Sequence, residues 1–247
     1  MTETIPLTPQ TGKPDSSDGP GARLPLRLVD LILIVALAVG ALMAFRLLIS
    51  PREVTTATVV ALLIGQNAVL LAIVWLVAMV YRGATLRQLG FIPASASWYR
   101  RVVPIAIFLQ IVVILTNVLI SLWMGKPFEN PQIPLIMPDP SDWGAMAGMF
   151  VATVIVAPVV EELTLRSVLY GWLRKHSAPI VAAGISAAAF AALHGSLVLL
   201  PGTFLVGLTL AWTYERSGSI LPGMLVHGCF NAISTLLVFG VAIAQPA

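Results

Sequence analysis

Seven stretches of this chain are apolar over lengths close to what a helix needs to cross a bilayer: about Leu26 to Ile49, Val54 to Tyr81, Val102 to Met124, Trp143 to Trp172, Ala178 to Leu200, Pro201 to Thr213 and Ile220 to Ala244. Hydrocarbon offers no water to backbone amides and carbonyls, so runs of about 20 apolar residues fold as helices that satisfy those groups internally. The sixth run is short and follows the fifth with almost no polar break, which leaves the count there open by one. Only 10% of residues are charged and 58% are hydrophobic, against about 25% charged in soluble domains. Mean hydropathy is +0.93. The expected fold is an all-α, polytopic transmembrane bundle of about seven spans, and a water-soluble globule is excluded.

Charge placement sets the expected orientation. With the N-terminus inside, the inner segments hold Lys13, Arg23, Arg27, Arg82, Arg87, Arg100, Arg101, Arg174, Lys175 and Arg216. The outer segments hold only Arg46, Arg52 and Lys126, and the loop from Gly125 to Asp142 is net acidic through Glu129, Asp139 and Asp142. Excess Lys and Arg mark cytoplasmic loops, which predicts N-in and C-out. Because the basic residues form no block, the pI of about 9.4 reads as a topology signal and not as a nucleic-acid footprint. The single cysteine, Cys229, has no partner for an intrachain disulfide or a cysteine metal cluster.

Residues 1–23 are polar and rich in Pro, Gly, Ser and Thr, with too little apolar surface to offset ordering entropy. They are expected to form a disordered cytoplasmic tail, with residues 24–247 as one transmembrane helical domain. The tail is too long and mixed in charge for the basic start of a cleaved signal peptide, so the first run is a retained span. Leu86 to Trp98 reads equally as an interfacial helix or a loop. Tyr81, Trp98, Tyr99, Trp123, Trp143, Tyr170, Trp172, Trp212 and Tyr214 fall near predicted helix ends, as in an interfacial aromatic belt.

Three charges interrupt the fourth run: Glu161, Glu162 and Arg166. Each costs at least ~2.5 kcal/mol at a bilayer centre, so each needs a partner or a purpose. Glu162 and Arg166 stand four residues apart and can pair on one helix face. Glu161, rotated by about 100°, lacks that partner and is the better candidate for chemistry. Pro158, without an amide hydrogen, should kink the helix or free a carbonyl near the carboxylates. The fifth run contains Phe190 and His194, and the seventh contains His227 and Asn231, each pair four residues apart. At 1.5 Å per residue, Glu161, His194 and His227 lie about 17–24 Å along their helices from the basic inner ends, so they can meet at one depth. An unpaired carboxylate, two imidazoles and an amide at matching depths are a costly way to build a scaffold. Gln66, Asn67, Gln110 and Asn117 read as interhelical hydrogen bonders, Gly144 with Gly148 as a packing face, and His176 as a solvated loop residue.

The segment from Glu161 to Arg166 fits EExxxR, Phe190 to His194 fits FxxxH and His227 to Asn231 fits HxxxN. In this order, each inside an apolar run, the motifs resemble the CPBP family, which includes CAAX prenyl endopeptidases and bacteriocin-related proteins of the Abi type. The resemblance covers about residues 145–237. Leu165 stands where the family usually has Phe and Ser167 where Gly is common, departures that bear on substrate fit more than on the catalytic set. The resemblance implies an intramembrane endopeptidase in which Glu161, assisted by His194, activates water. His227 and Asn231 would donate to the oxyanion, Glu162 with Arg166 would orient the helix, and Phe190 would support the imidazole. Glu161, His194 and His227 would also satisfy a catalytic zinc site, although no HExxH is present. The metal-independent glutamate mechanism is the reading adopted, with zinc as its alternative.

The expected substrates are CAAX-type or small membrane-associated peptides, in a bacterial inner membrane. The rival reading is a membrane scaffold or immunity factor that keeps the motifs without cleaving anything. A transporter ranks below both, since the chain shows no internal repeat.

Overall fold

A computed structural model describes residues 24–48, 55–133 and 141–244. The N-terminal tail proposed from the sequence, Arg52 and Asp139 lie outside these residues. The described residues are helical without strands. In chain order the helices are α1 (Leu28–Leu48), α2 (Thr56–Val74, extended by a π-helical segment Trp75–Tyr81), α3 (Ala96–Met124), α4 (Trp143–His176), α5 (Pro179–Leu193), α6 (Leu200–Ser217) and α7 (Ile220–Ala244). Four segments are long and apolar enough to cross a membrane: Ala57–Tyr81, Ala96–Met124, Trp143–His176 and Ile220–Gly240.

The fifth apolar run is not one continuous helix. It breaks at His194, which ends α5 after 15 residues, about 22 Å of rise. Gly195 then adopts φ +66°, a conformation that side chains disfavour, and the chain turns back into α6. His194 thus ends α5 at the turn of a helical hairpin and does not lie in the middle of a helix. The sixth run is correspondingly longer than its apolar part, 18 residues. Close approach within the hairpin depends on Gly207: a Cβ there would meet Ala187 Cα at 2.8 Å. Lipid is as apolar as leucine, so small residues that let backbones touch drive such packing.

The helix ends that carry the basic residues gather at one end of the bundle. Arg82 grips Asp30 with two bonds of 2.8 Å, joining α2 to α1. Arg174 reaches Glu215 at 3.1 Å, joining α4 to α6, and Lys175 donates to the Leu24 carbonyl. Trp98 packs edge-on against Trp212 with ring centroids 5.6 Å apart. The segment from Leu86 to Ser95 is a turn followed by extended chain, and the helix begins only at Ala96. It is docked on protein: Ser167 donates to the Leu89 carbonyl at 2.7 Å, and the Ile220 amide to that of Gly90 at 3.0 Å.

Three of the aromatics near helix ends, Trp98, Tyr170 and Tyr214, are buried against neighbouring helices. Tyr170 and Tyr214 are buried and pack edge-on against each other at 5.9 Å. The Tyr170 hydroxyl donates to Glu215 at 2.7 Å, which gives the buried phenol a polar partner within the bundle.

Candidate active site

The geometry of the site begins in α4, which alternates between two hydrogen-bonding patterns. Ala152–Val156 and Leu163–Tyr170 are π-helical, and the short α-helical stretch Ala157–Glu162 lies between them. In the first π segment the Ala157 amide bonds to the Ala152 carbonyl, five residues back. The next donor in that register would serve Thr153, but it is Pro158, which has no amide hydrogen. The carbonyl so freed accepts instead from Asn231 Nδ2 at 2.8 Å. Nearby, the Val154 carbonyl lies so close to α7 that a Cβ on Gly228 would meet it at 2.8 Å. Together these contacts bring α7 against the carboxylate-bearing turn.

His227 then stands between two carboxylates. Its Nδ1 is 3.3 Å from Glu162 Oε1 and its Nε2 is 3.8 Å from Glu161 Oε2. The carboxylates differ in environment: the Glu162 side chain is fully buried, whereas that of Glu161 is 28% exposed. Glu162 also faces Arg166 Nη1 at 3.4 Å. This is a charge contact without the alignment of a hydrogen bond, since Arg166 Nη1 and Nε have no hydrogen-bond partner. Arg166 Nη2 donates to the Gly207 carbonyl at 3.1 Å, and its guanidinium lies 4.8 Å from the centre of the Phe190 ring. Glu162 Oε2 is buried without a hydrogen bond and points at Gly223, where a Cβ would come within 3.2 Å of it.

Phe190 connects the remaining groups. Its ring packs edge-on against His194 at 4.8 Å and against His227 at 5.5 Å. His194 Nδ1 donates to the Phe190 carbonyl at 2.9 Å, which leaves Nε2 as the nitrogen without a proton in the neutral ring. The Gln132 amide, from the segment after α3, donates to the His194 carbonyl at 3.3 Å.

The structure therefore joins Glu161, Glu162, Arg166 and His227 directly and sets His194 beside them through Phe190. Among the described residues no hydrogen bond or ion pair links His194 to Glu161; the imidazole next to Glu161 is that of His227. Nor do three His, Cys, Asp or Glu side chains come together there as a metal-binding group. Glu161, His194 and His227 consequently do not fit a zinc site in this arrangement. Sequence reasoning did not identify Thr153, Gly207 or Gln132 as part of the site. For Thr153 the missing Pro158 donor was the available signal; the other two act through backbone contacts that leave no motif.

Residues 143–233 match the family model described as Rce1-like, type II CAAX prenyl endopeptidase. The matched segment starts at the first residue of α4 and ends within α7, so it contains every residue of the site except Gln132. No curated protein and no solved structure matches the chain.

Proposed function

We propose that this chain, whose residues 143–233 match the Rce1-like model of type II CAAX prenyl endopeptidases, hydrolyses peptide bonds of membrane-associated substrates with Glu161 as the general base. The observation that carries the assignment is the contrast between adjacent carboxylates. Glu161 is accessible beside His227 Nε2, whereas Glu162 is buried against Arg166. Only the accessible carboxylate can meet a water molecule and a substrate.

Glu161 Oε2 and His227 Nε2 lie 3.8 Å apart, so a water held by the carboxylate and the carbonyl it attacks can lie beside both groups. In the proposed reaction Glu161 takes a proton from water as the oxygen bonds to the scissile carbonyl carbon. The developing oxyanion is met by His227 and by the amide hydrogen of Asn231 that Thr153 does not use. His227 meets it through Nε2, the ring nitrogen on the Glu161 side. The proton held by Glu161 then passes to the leaving amine as the C–N bond breaks. His194 presents Nε2 from the hairpin tip and would assist at the water, while Phe190 holds both imidazoles in place.

The gathering of Arg82, Arg101, Arg174, Lys175 and Arg216 at one end of the bundle supports the N-in reading. We place the chain in a bacterial inner membrane, with CAAX-type or small membrane peptides as substrates. The test is cleavage of a quenched prenylated CAAX-type peptide and of a membrane-peptide library by the purified protein, with and without a strong chelator. Activity that survives the chelator and falls in Glu161→Gln by about 10²–10⁴-fold is expected. Equal cleavage by wild type and Glu161→Gln, or none by a folded wild type, would move the non-proteolytic scaffold to the front.

A further inference from the structure

Between α3 and α6, on a face that none of Glu161, His194, His227 or Asn231 lines, a groove encloses about 470 Å³. Arg101 stands at its head and Ile105 and Phe108 continue down α3; Leu208 and Trp212 form the α6 wall. Arg101 to Phe108 is two helical turns, so the groove runs about 10 Å from a guanidinium into an apolar interior. Phe108 is 63% exposed and Trp212 46%, so the groove opens sideways from the bundle.

The head of the groove is cationic. The Arg101 guanidinium lies 5.2 Å from the centre of the Trp98 ring, and among the described residues no carboxylate pairs with it. Arg100 precedes it, and Arg216 lies one turn beyond Trp212 on α6. The Trp98–Trp212 pair, with centroids 5.6 Å apart, holds the two walls together at this end. A positive head on a lateral apolar slot calls for an amphiphile with an anionic headgroup and at least one hydrocarbon chain. Where basic residues gather at a membrane face, anionic lipids are the complementary partners.

We propose that this groove is a binding site for an anionic phospholipid, whose headgroup phosphate pairs with Arg101 and whose acyl chain lies along Ile105 and Phe108 against α6. The lipid would cement α3 to α6 beside Leu208, the residue that follows the Gly207 holding Arg166. The proposal does not depend on proteolysis, because binding is read directly.

The experiment is native mass spectrometry of the full chain in non-ionic detergent, titrated with dioleoyl phosphatidylglycerol or dioleoyl phosphatidylcholine. Wild type should retain phosphatidylglycerol about fivefold better, the factor expected for one basic side chain at an anionic headgroup. Arg101→Gln should lose that preference, Arg101→Lys should keep most of it, and phosphatidylglycerol should raise the thermal stability of wild type more than that of Arg101→Gln. Equal retention of the two lipids by wild type, or an unchanged preference in Arg101→Gln, overturns the proposal. One-for-one displacement of the lipid by farnesylcysteine methyl ester also overturns it and assigns the groove to an isoprenoid chain.

Discussion

Asn231 donates its side-chain amide to the carbonyl of Thr153 at 2.8 Å, the acceptor that Pro158 leaves without a backbone donor. Two features that look separate along the chain, a proline in one helix and an asparagine 73 residues later in another, are halves of one hydrogen-bonding arrangement. Asn231→Ala should therefore destabilise the protein by about 1–3 kcal/mol, the cost of an unsatisfied buried carbonyl. In a Pro158→Ala background, where residue 158 regains an amide hydrogen, the same substitution should cost less. Thermal unfolding of the four proteins of this cycle measures the coupling. Equal cost in both backgrounds would show that Pro158 and Asn231 do not share the carbonyl.

The adjacent glutamates should separate stability from activity. Glu161 is accessible, so Glu161→Gln is expected to abolish cleavage with little change in melting temperature. Arg166→Met leaves Glu162 buried without its cation and should cost about 3–5 kcal/mol. Adding Glu162→Gln to Arg166→Met should restore part of that stability. If Glu161→Gln proves as destabilising as Arg166→Met, then Glu161 is a structural charge and its role as base is wrong.

Gly207→Ala tests the hairpin. The new methyl would meet the Ala187 backbone at 2.8 Å, and a main-chain atom cannot step aside, so overpacking should cost about 1–3 kcal/mol. Because the Gly207 carbonyl also holds Arg166, cleavage should fall along with stability. Gly184→Ala, in open space on the same hairpin, is the control and should leave both unchanged.

Asp30 and Arg82 make the best-aligned ion pair described, with two bonds of 2.8 Å. Asp30 is almost fully buried, and it also accepts from the Arg27 amide at 2.7 Å. Asp30→Ala should loosen α1 from α2 and expose α1 to limited proteolysis, while cleavage by a site built on α4 to α7 persists. Loss of cleavage in a protein whose α4 to α7 remain protected would show that α1 contributes to the site.

Much of the architecture is legible in the chain because it rests on local rules. Apolar run length predicts helices, and α2, α3, α4 and α7 carry segments of spanning length. The approach of Glu162 to Arg166 needs only helical spacing, and the missing amide of Pro158 is a property of the residue itself. The end of α5 was not legible in hydropathy, because the break His194-Gly195-Ser196 is only three residues long and lies between apolar residues on both sides. The burial of Tyr170 and Tyr214 was not legible for a related reason: an aromatic near a helix end can face lipid headgroups or neighbouring helices, and spacing along one helix does not say which.

By itself the sequence determined a membrane-embedded helical chain, the three motif-bearing helices and the presence of charges in apolar surroundings, since each follows from composition or from spacing within one helix. Only the tertiary structure decided which imidazole meets Glu161, which side chain takes the carbonyl freed by Pro158, and that one glutamate is sealed while its neighbour is open. Glu162 and His227 are 65 residues apart. In lipid no hydrophobic gradient sets the register between such helices, so it is settled by contacts between small residues and by interhelical hydrogen bonds, which hydropathy and motif spacing do not encode.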